Sequence, residues 1–306
     1  MQGTVDGFSY GLVTPVAAFL MACLGGALGL RCTVRSLRRH DAFRRGWLVL
    51  GAVSTGTGIW TMHFIAMTGF SVRQAPVGYD RPLTFASLGV AVLVVGIGLH
   101  IVGCRGATVL SLVTGGTVTG LGIATMHYLG MAGMRLPGRV EYDTATVALS
   151  VVIAVVAATG ALWAAVSVHG FLAGLGASLV MGGAVTGMHY TAMAAVTVHL
   201  HGTGAAATAA PSSLLPMLIG PAVFLVLAAV VLMFDPLLVT GGPEGRRLPD
   251  RAVHRPGVPA PRRVPTHYGD PAVWTAGPPG RRPGRRASVR TARRAAARTG
   301  HRSQDW

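Results

Sequence analysis

Lysine is missing altogether from this chain of 306 residues, and acidic residues are sparse, with 10 Asp and Glu against 26 basic residues that are all Arg. Charged residues make up only 12% of the chain, about half of the ~25% usual in a soluble domain. A water-soluble class is thereby excluded. Cysteines number three, Cys23, Cys32 and Cys104, and they share no metal or redox spacing. Neither a disulfide framework nor a cysteine-based zinc site is available. The apolar stretches hold no carboxylate pair, and no glycine-rich loop ends in Lys. The common hydrolase, transferase and phosphate-binding arrangements are absent, and no enzymatic activity is expected.

Long apolar runs dominate instead, with 51% of residues hydrophobic. Windows of about 20 residues almost free of charge recur, the length that crosses ~30 Å of hydrocarbon. Spans are expected at about 11–30, 46–69, 83–104, 107–131, 144–168, 171–198 and 214–235. The fold class is therefore an all-α membrane protein, a bundle of seven transmembrane helices in a lipid bilayer. Arg31, Arg35, Arg38, Arg39, Arg44 and Arg45 follow the first apolar run rather than precede it, which marks an uncleaved helix and not a secretory signal. Alternating spans collect these arginines and Arg105 on one side, and Arg73, Arg81, Arg135 and Arg139 on the other. Seven against four sets the N-terminus outside and the C-terminal tail in the cytoplasm.

Composition changes after residue 235. Residues 1–235 hold 11 Arg against 6 acids, whereas 236–306 hold 15 against 4. Pro, Gly, Arg and Ala dominate this second region, as in Gly277-Pro278-Pro279-Gly280-Arg281-Arg282-Pro283-Gly284. Residues 236–306 are expected to be a disordered cytoplasmic tail with no catalytic output domain. Basic charge beside membrane helices meets anionic lipid, so nucleic acid is set aside as a partner.

Internal repetition is the most informative feature. The second span reads Thr55-Gly56-Thr57-Gly58-Ile59-Trp60-Thr61-Met62-His63-Phe64-Ile65-Ala66-Met67. The fourth reads Thr119-Gly120-Leu121-Gly122-Ile123-Ala124-Thr125-Met126-His127-Tyr128-Leu129-Gly130-Met131. The sixth carries Gly182 and then Met188-His189-Tyr190-Thr191-Ala192-Met193. The shared core is Met-His-(Phe/Tyr)-x-(Ala/Gly)-Met, with histidines 64 and 62 residues apart, so the repeating unit is a pair of helices. At 1.5 Å per residue the three histidines lie roughly 25–30 Å from the cytoplasmic starts of their spans, at one level just beneath the outer surface.

His63 and Met67 project from one side of their helix, as do His127 with Met131 and His189 with Met193. Met62, Met126 and Met188 sit about 100° round, flanking that side. Gly56, Gly120 and Gly182 lie below and let neighbouring backbones approach. Imidazole with thioether and no carboxylate suits copper, above all Cu(I). One such motif would be ordinary packing; three at matched depth argue for a shared site. Phe64, Tyr128 and Tyr190 are assigned a supporting role as interfacial aromatics.

With these residues in hand, the chain resembles the MHYT family of bacterial integral membrane sensor domains. Met188-His189-Tyr190-Thr191 matches the naming tetrapeptide in full, Met126-His127-Tyr128 matches three of its residues, and Met62-His63-Phe64-Ile65 is a variant. The resemblance covers about residues 10–235. It implies three two-helix repeats plus a seventh helix, in a bacterial cytoplasmic membrane. It also implies a metal, copper in the first instance, used to sense O2, CO or NO. Relatives of this kind often continue into a histidine kinase or cyclic-di-GMP domain; here the signal is expected to pass to a separate cytoplasmic partner.

Two other classes are weighed. His100 and His169 at the cytoplasmic ends of the third and fifth spans raise a b-type haem electron carrier. His199 and His201 in the outer loop raise a copper transporter or chaperone-like protein. The residues below the motifs are mainly Gly, Thr, Ser and apolar, a poor lining for a metal path.

Overall fold

The computed structural model describes residues 5–6, 10–37, 43–72, 77–168, 170–200 and 214–233. Seven helices run through them: α1 (Val13–Leu37), α2 (Phe43–Thr68), α3 (Arg81–Arg105), α4 (Val109–Ala132), α5 (Thr144–Ser167), α6 (Phe171–Ala194) and α7 (Leu215–Met233). The first six are long and apolar enough to cross a membrane; α7 is a shorter apolar helix. The tail call for 236–306, His169, His201 and Arg73 lie outside the described residues.

Helices α1 to α6 form a closed ring in which each packs on the next and α6 returns to α1. Their outward faces carry large apolar side chains, among them Leu20, Leu93, Val156, Trp163 and Val180. In water such a surface would be an association site; in a bilayer it is the face presented to lipid. Free cysteines Cys23 and Cys32 are buried and Cys104 is exposed, with no disulfide. Helix α7 lies against α1 and α2, where Leu225 is buried with Leu28 and Cys32.

The repeat is more than a helix pair. Short strands flank each pair: β1 (Val5–Asp6) and β2 (Ser71–Val72), β3 (Gly78–Tyr79) and β4 (Met134–Arg135), β5 (Gly138–Tyr142) and β6 (Val196–Leu200). In every unit the strand before the first helix pairs antiparallel with the strand after the second. The unit is thus β-α-α-β, closed on itself at one end of the bundle. The expected sixth span, 171–198, is corrected here: α6 stops at Ala194, and Val196-Thr197-Val198 pairs with residues 140–142. Those β-branched residues fit a pleated ladder better than a helix end.

Turn chemistry repeats with the same period. Asp80 caps α3 by accepting the Leu83 N–H, and Asp143 caps α5 by accepting that of Thr146. The backbone N–H of Asp80 donates to the Gly133 carbonyl and that of Asp143 to Ala195, at 2.8 and 2.9 Å. At the opposite end the tight links use Gly106 and Gly170, with φ of +75° and +92°, a region that favours glycine. Arginines gather at this end: Arg44 Nη2 donates to the Gly103 carbonyl, and the Arg35 guanidinium lies over the Trp47 ring.

Glycines set the spacing between units. A Cβ on Gly56 would lie 2.8 Å from backbone atoms of Val92 in α3, and one on Gly120 2.5 Å from the Val155 Cα in α5. A Cβ on Gly182 would meet Cys23 of α1. Each motif helix therefore leans its glycine on the next unit, and the third closes on the first. This is the close approach expected of small residues in packed membrane helices.

Candidate metal centre

The strand-capped end of the ring brings together His63 of α2, His127 of α4 and His189 of α6, each 1% exposed. Their Nδ1 atoms face one another at 3.0 Å (63–189), 3.1 Å (127–63) and 3.3 Å (189–127). The rings meet edge to face, with interplanar angles of 75–79°, in a propeller around the bundle axis. They are the group of metal-ligating residues that the described part of the chain assembles, and no carboxylate or thiol belongs to it.

This triangle poses a problem for hydrogen bonding. An imidazole nitrogen either donates or accepts, in any tautomer or charge state. Round three mutually facing nitrogens, at least one edge must set donor against donor or lone pair against lone pair. No arrangement of protons satisfies all three contacts. A cation at the centre does, because all three lone pairs then point at positive charge.

The dimensions fit that answer. The centre of a triangle with these sides lies about 1.8 Å from each nitrogen (the mean side divided by √3), close to the ~2.0–2.1 Å of metal–imidazole bonds, so these three residues would hold such an ion. An ion held through Nδ1 would leave the protons on Nε2. The Nε2 atoms of His63 and His127 are buried and have no hydrogen-bond partner, each at a cost of roughly 1–3 kcal/mol. His63 and His127 are thus held by packing rather than by hydrogen bonds at Nε2.

Each ring is backed by the aromatic that follows it. Phe64 stands edge-on to His63, Tyr128 to His127 and Tyr190 to His189, with centroids 4.6–5.1 Å apart. Phe64 is fully buried, whereas Tyr128 and Tyr190 are half-buried. The hydroxyls of Tyr128 and Ser150 are hydrogen-bonded at 2.9 Å. Trp60, fully buried, packs on Phe64 and donates its Nε1–H to the Thr84 carbonyl and the Ser87 hydroxyl.

The methionines fall in two groups. Met62, Met126 and Met188 are each 1% exposed, and Met67 and Met131 are as fully enclosed; Met193 is half-buried. All six belong to the motif helices at or near the imidazole level. Among the other candidates, His100 is exposed beside Cys104. His199 is a strand residue rather than a loop residue, with Nε2 3.3 Å from Glu141 across the β5–β6 ladder.

Three features escaped the sequence. Gly130 is one: a Cβ there would lie 2.6 Å from Nε2 of His63, so only glycine leaves the ring its place. The second is the repeated Tyr-Asp pair, Tyr79-Asp80 and Tyr142-Asp143, whose rings contact Phe64 and Tyr128 respectively. A spacing of 63 residues was the signal available. The third is electrostatic: Arg135 of β4 pairs with Asp80, and this ion pair with the capping N–H holds the Asp80 carboxyl below the usual carboxylate range.

Residues 56–115 and 120–178 match the family profile MHYT, described as a bacterial signalling protein N-terminal repeat. The third motif, at His189, lies beyond both matches. The chain is 39% identical over 192 residues to the bifunctional diguanylate cyclase/cyclic di-GMP phosphodiesterase MucR of Pseudomonas aeruginosa, covering 61% of this chain and 28% of that protein. It is 36% identical over 210 residues to the cyclic di-GMP phosphodiesterase NbdA of the same organism, covering 64% and 26%. Over 190 residues it is 31% identical to the signaling protein YkoW of Bacillus subtilis, covering 60% and 23%. The chain thus spans about a quarter of the length of these curated relatives, and no solved structure matches it. The six-helix bundle thus contains two stretches that match the MHYT repeat of bacterial signalling proteins.

Proposed function

We propose that this chain is a membrane sensor whose three imidazoles hold a single soft or borderline cation, copper in the first instance, and that occupancy or redox state of the site is the signal. The observation that carries this reading is the Nδ1 triangle, whose contacts no distribution of protons can satisfy. Imidazole alone accepts Zn, Cu, Fe or Ni; the buried methionines of the motif tilt the choice to copper. When bound, cuprous ion supplies a one-electron couple and affinity for a diatomic ligand such as O2, CO or NO. His63, His127 and His189 bind it, the aromatic behind each ring fixes its orientation, and the strand ladders shield the end of the bundle.

In this reading α7 is a seventh span, the strand-capped end faces the periplasm, and the arginine end faces the cytoplasm. The relatives' names link such repeats to cyclic-di-GMP turnover, and we take the output here to pass to a partner that reads the arginine end. The mutual contact of the three rings leaves no space for a porphyrin between them, which favours a bare ion over haem. A largely apolar interior beneath the trio favours a fixed site over a transport path.

Elemental analysis of detergent-purified protein tests this directly. The parent is expected to carry about one copper per chain, and a variant with His63, His127 and His189 all changed to Ala to carry none while still inserting in the membrane. Equal metal in both would end the assignment, and stoichiometric zinc in place of copper would end the redox reading.

A further inference from the structure

Directly beneath the imidazoles the bundle is not filled. A cavity of about 50 Å³ lies on its axis, lined by residues from all six ring helices. Its ceiling is set by Ile59, Ile123 and Val185, each one helical turn before a histidine of the trio. Its wall on α5 is a run of alanines, including Ala158 and Ala165, at spacings that keep them on one face. Small side chains on that face are why the axis stays empty. A second space of about 10 Å³ shares Thr33, Leu99, Leu162 and Ala165 with the first. It extends to Leu37 and Gly103 at the arginine end.

Water is a poor occupant. A buried water needs two to four polar partners, and the lining offers only threonines. Two of these hydroxyls are already committed, Thr33 to the Gly29 carbonyl at 2.8 Å and Thr119 to that of Val94 at 3.3 Å. Dry apolar cavities of about 150 Å³ take up benzene or xenon. One a third of that size has room for a xenon atom or a diatomic.

We infer that the axial cavity is a docking site for a small non-polar gas molecule, one turn of helix beneath the three histidines. The choice of a diatomic as its natural occupant rests on the sensor reading above; the cavity itself does not require the metal.

Xenon and molecular oxygen serve as probes on the full-length protein in detergent. Xenon is expected to give a saturable site, and dissolved oxygen to broaden the methyl resonances of Ile59, Ile123 and Val185 selectively. Ala158→Leu, with Ala154→Leu as an independent second filling variant, should lower xenon occupancy at least tenfold with copper content unchanged. The triple histidine-to-alanine variant should retain xenon binding, so failure of the metal assignment and failure of the gas site are read separately. Absence of a saturable xenon site in the parent, or undiminished uptake in both filling variants, would overturn the inference.

Discussion

The two halves of this bundle are built from opposite materials. The strand-capped half holds the largest fully enclosed side chains, Trp60, Phe64, Met62, Met67, Met126 and Met188, packed around the three histidines. The half towards the arginine end is lined by Gly26, Gly29 and the alanines of α5, and its axis is open. One fold therefore supplies a rigid polar constellation and a compliant apolar space on a single axis. Membrane helices gain little from apolar burial against one another, because lipid is equally apolar. Tight packing at one level thus marks a place where position matters more than stability.

That contrast can be broken first at Gly130. Gly130→Ala forces the His63 imidazole off its position, and displaced or unsupported ligands typically lose about 10–100-fold in metal affinity. Competitive titration against a chromogenic cuprous chelator measures the loss. Unchanged affinity would mean that the His63 ring does not need its present place. A matched pair of enlargements sharpens the comparison next. Ala66→Leu, beside the site at 2% exposure, should overpack and destabilise by roughly 1–3 kcal/mol. Ala158→Leu, facing the cavity, should be neutral or stabilising in the same thermal melt, and equal losses would show that both halves are equally full.

The smallest effect is expected at the cap. The Asp80 carboxyl is held low by Arg135 and by the Leu83 N–H, so its stabilising contribution is complete above the ordinary carboxylate pKa and is lost as pH falls through the depressed folded value. Melts between pH 6 and pH 3 should show a modest acid destabilisation in the parent that flattens in Asp80→Asn. High salt should weaken it further, since the pair is partly exposed.

The helices and the repeat were legible because hydrocarbon demands long uncharged runs and because the motif recurs at 64 and 62 residues. Convergence of the histidines was legible for the same reason: three runs of one length and direction bring matched positions to one level. The strands were not. Two-residue ladders such as Val5–Asp6 with Ser71–Val72 carry no period, and Val196–Leu200 continues an apolar run that reads as helix. The full burial of Phe64 was not legible, since an aromatic near a span end serves lipid or core equally well until its neighbours are known. The cavity lay beyond reach, because it arises from which alanines and glycines coincide on the axis and no single residue announces it.

Each β-α-α-β unit is latched at its own outer edge, and each contributes one ring to a common pivot. Such an assembly resembles the leaves of a camera diaphragm. Changing the separation of the nitrogens at the pivot cannot be absorbed by one leaf, because its latch ties both of its helices together and its glycine leans on the leaf beside it. Rings, latches and glycine contacts therefore tie the three leaves into one closed set.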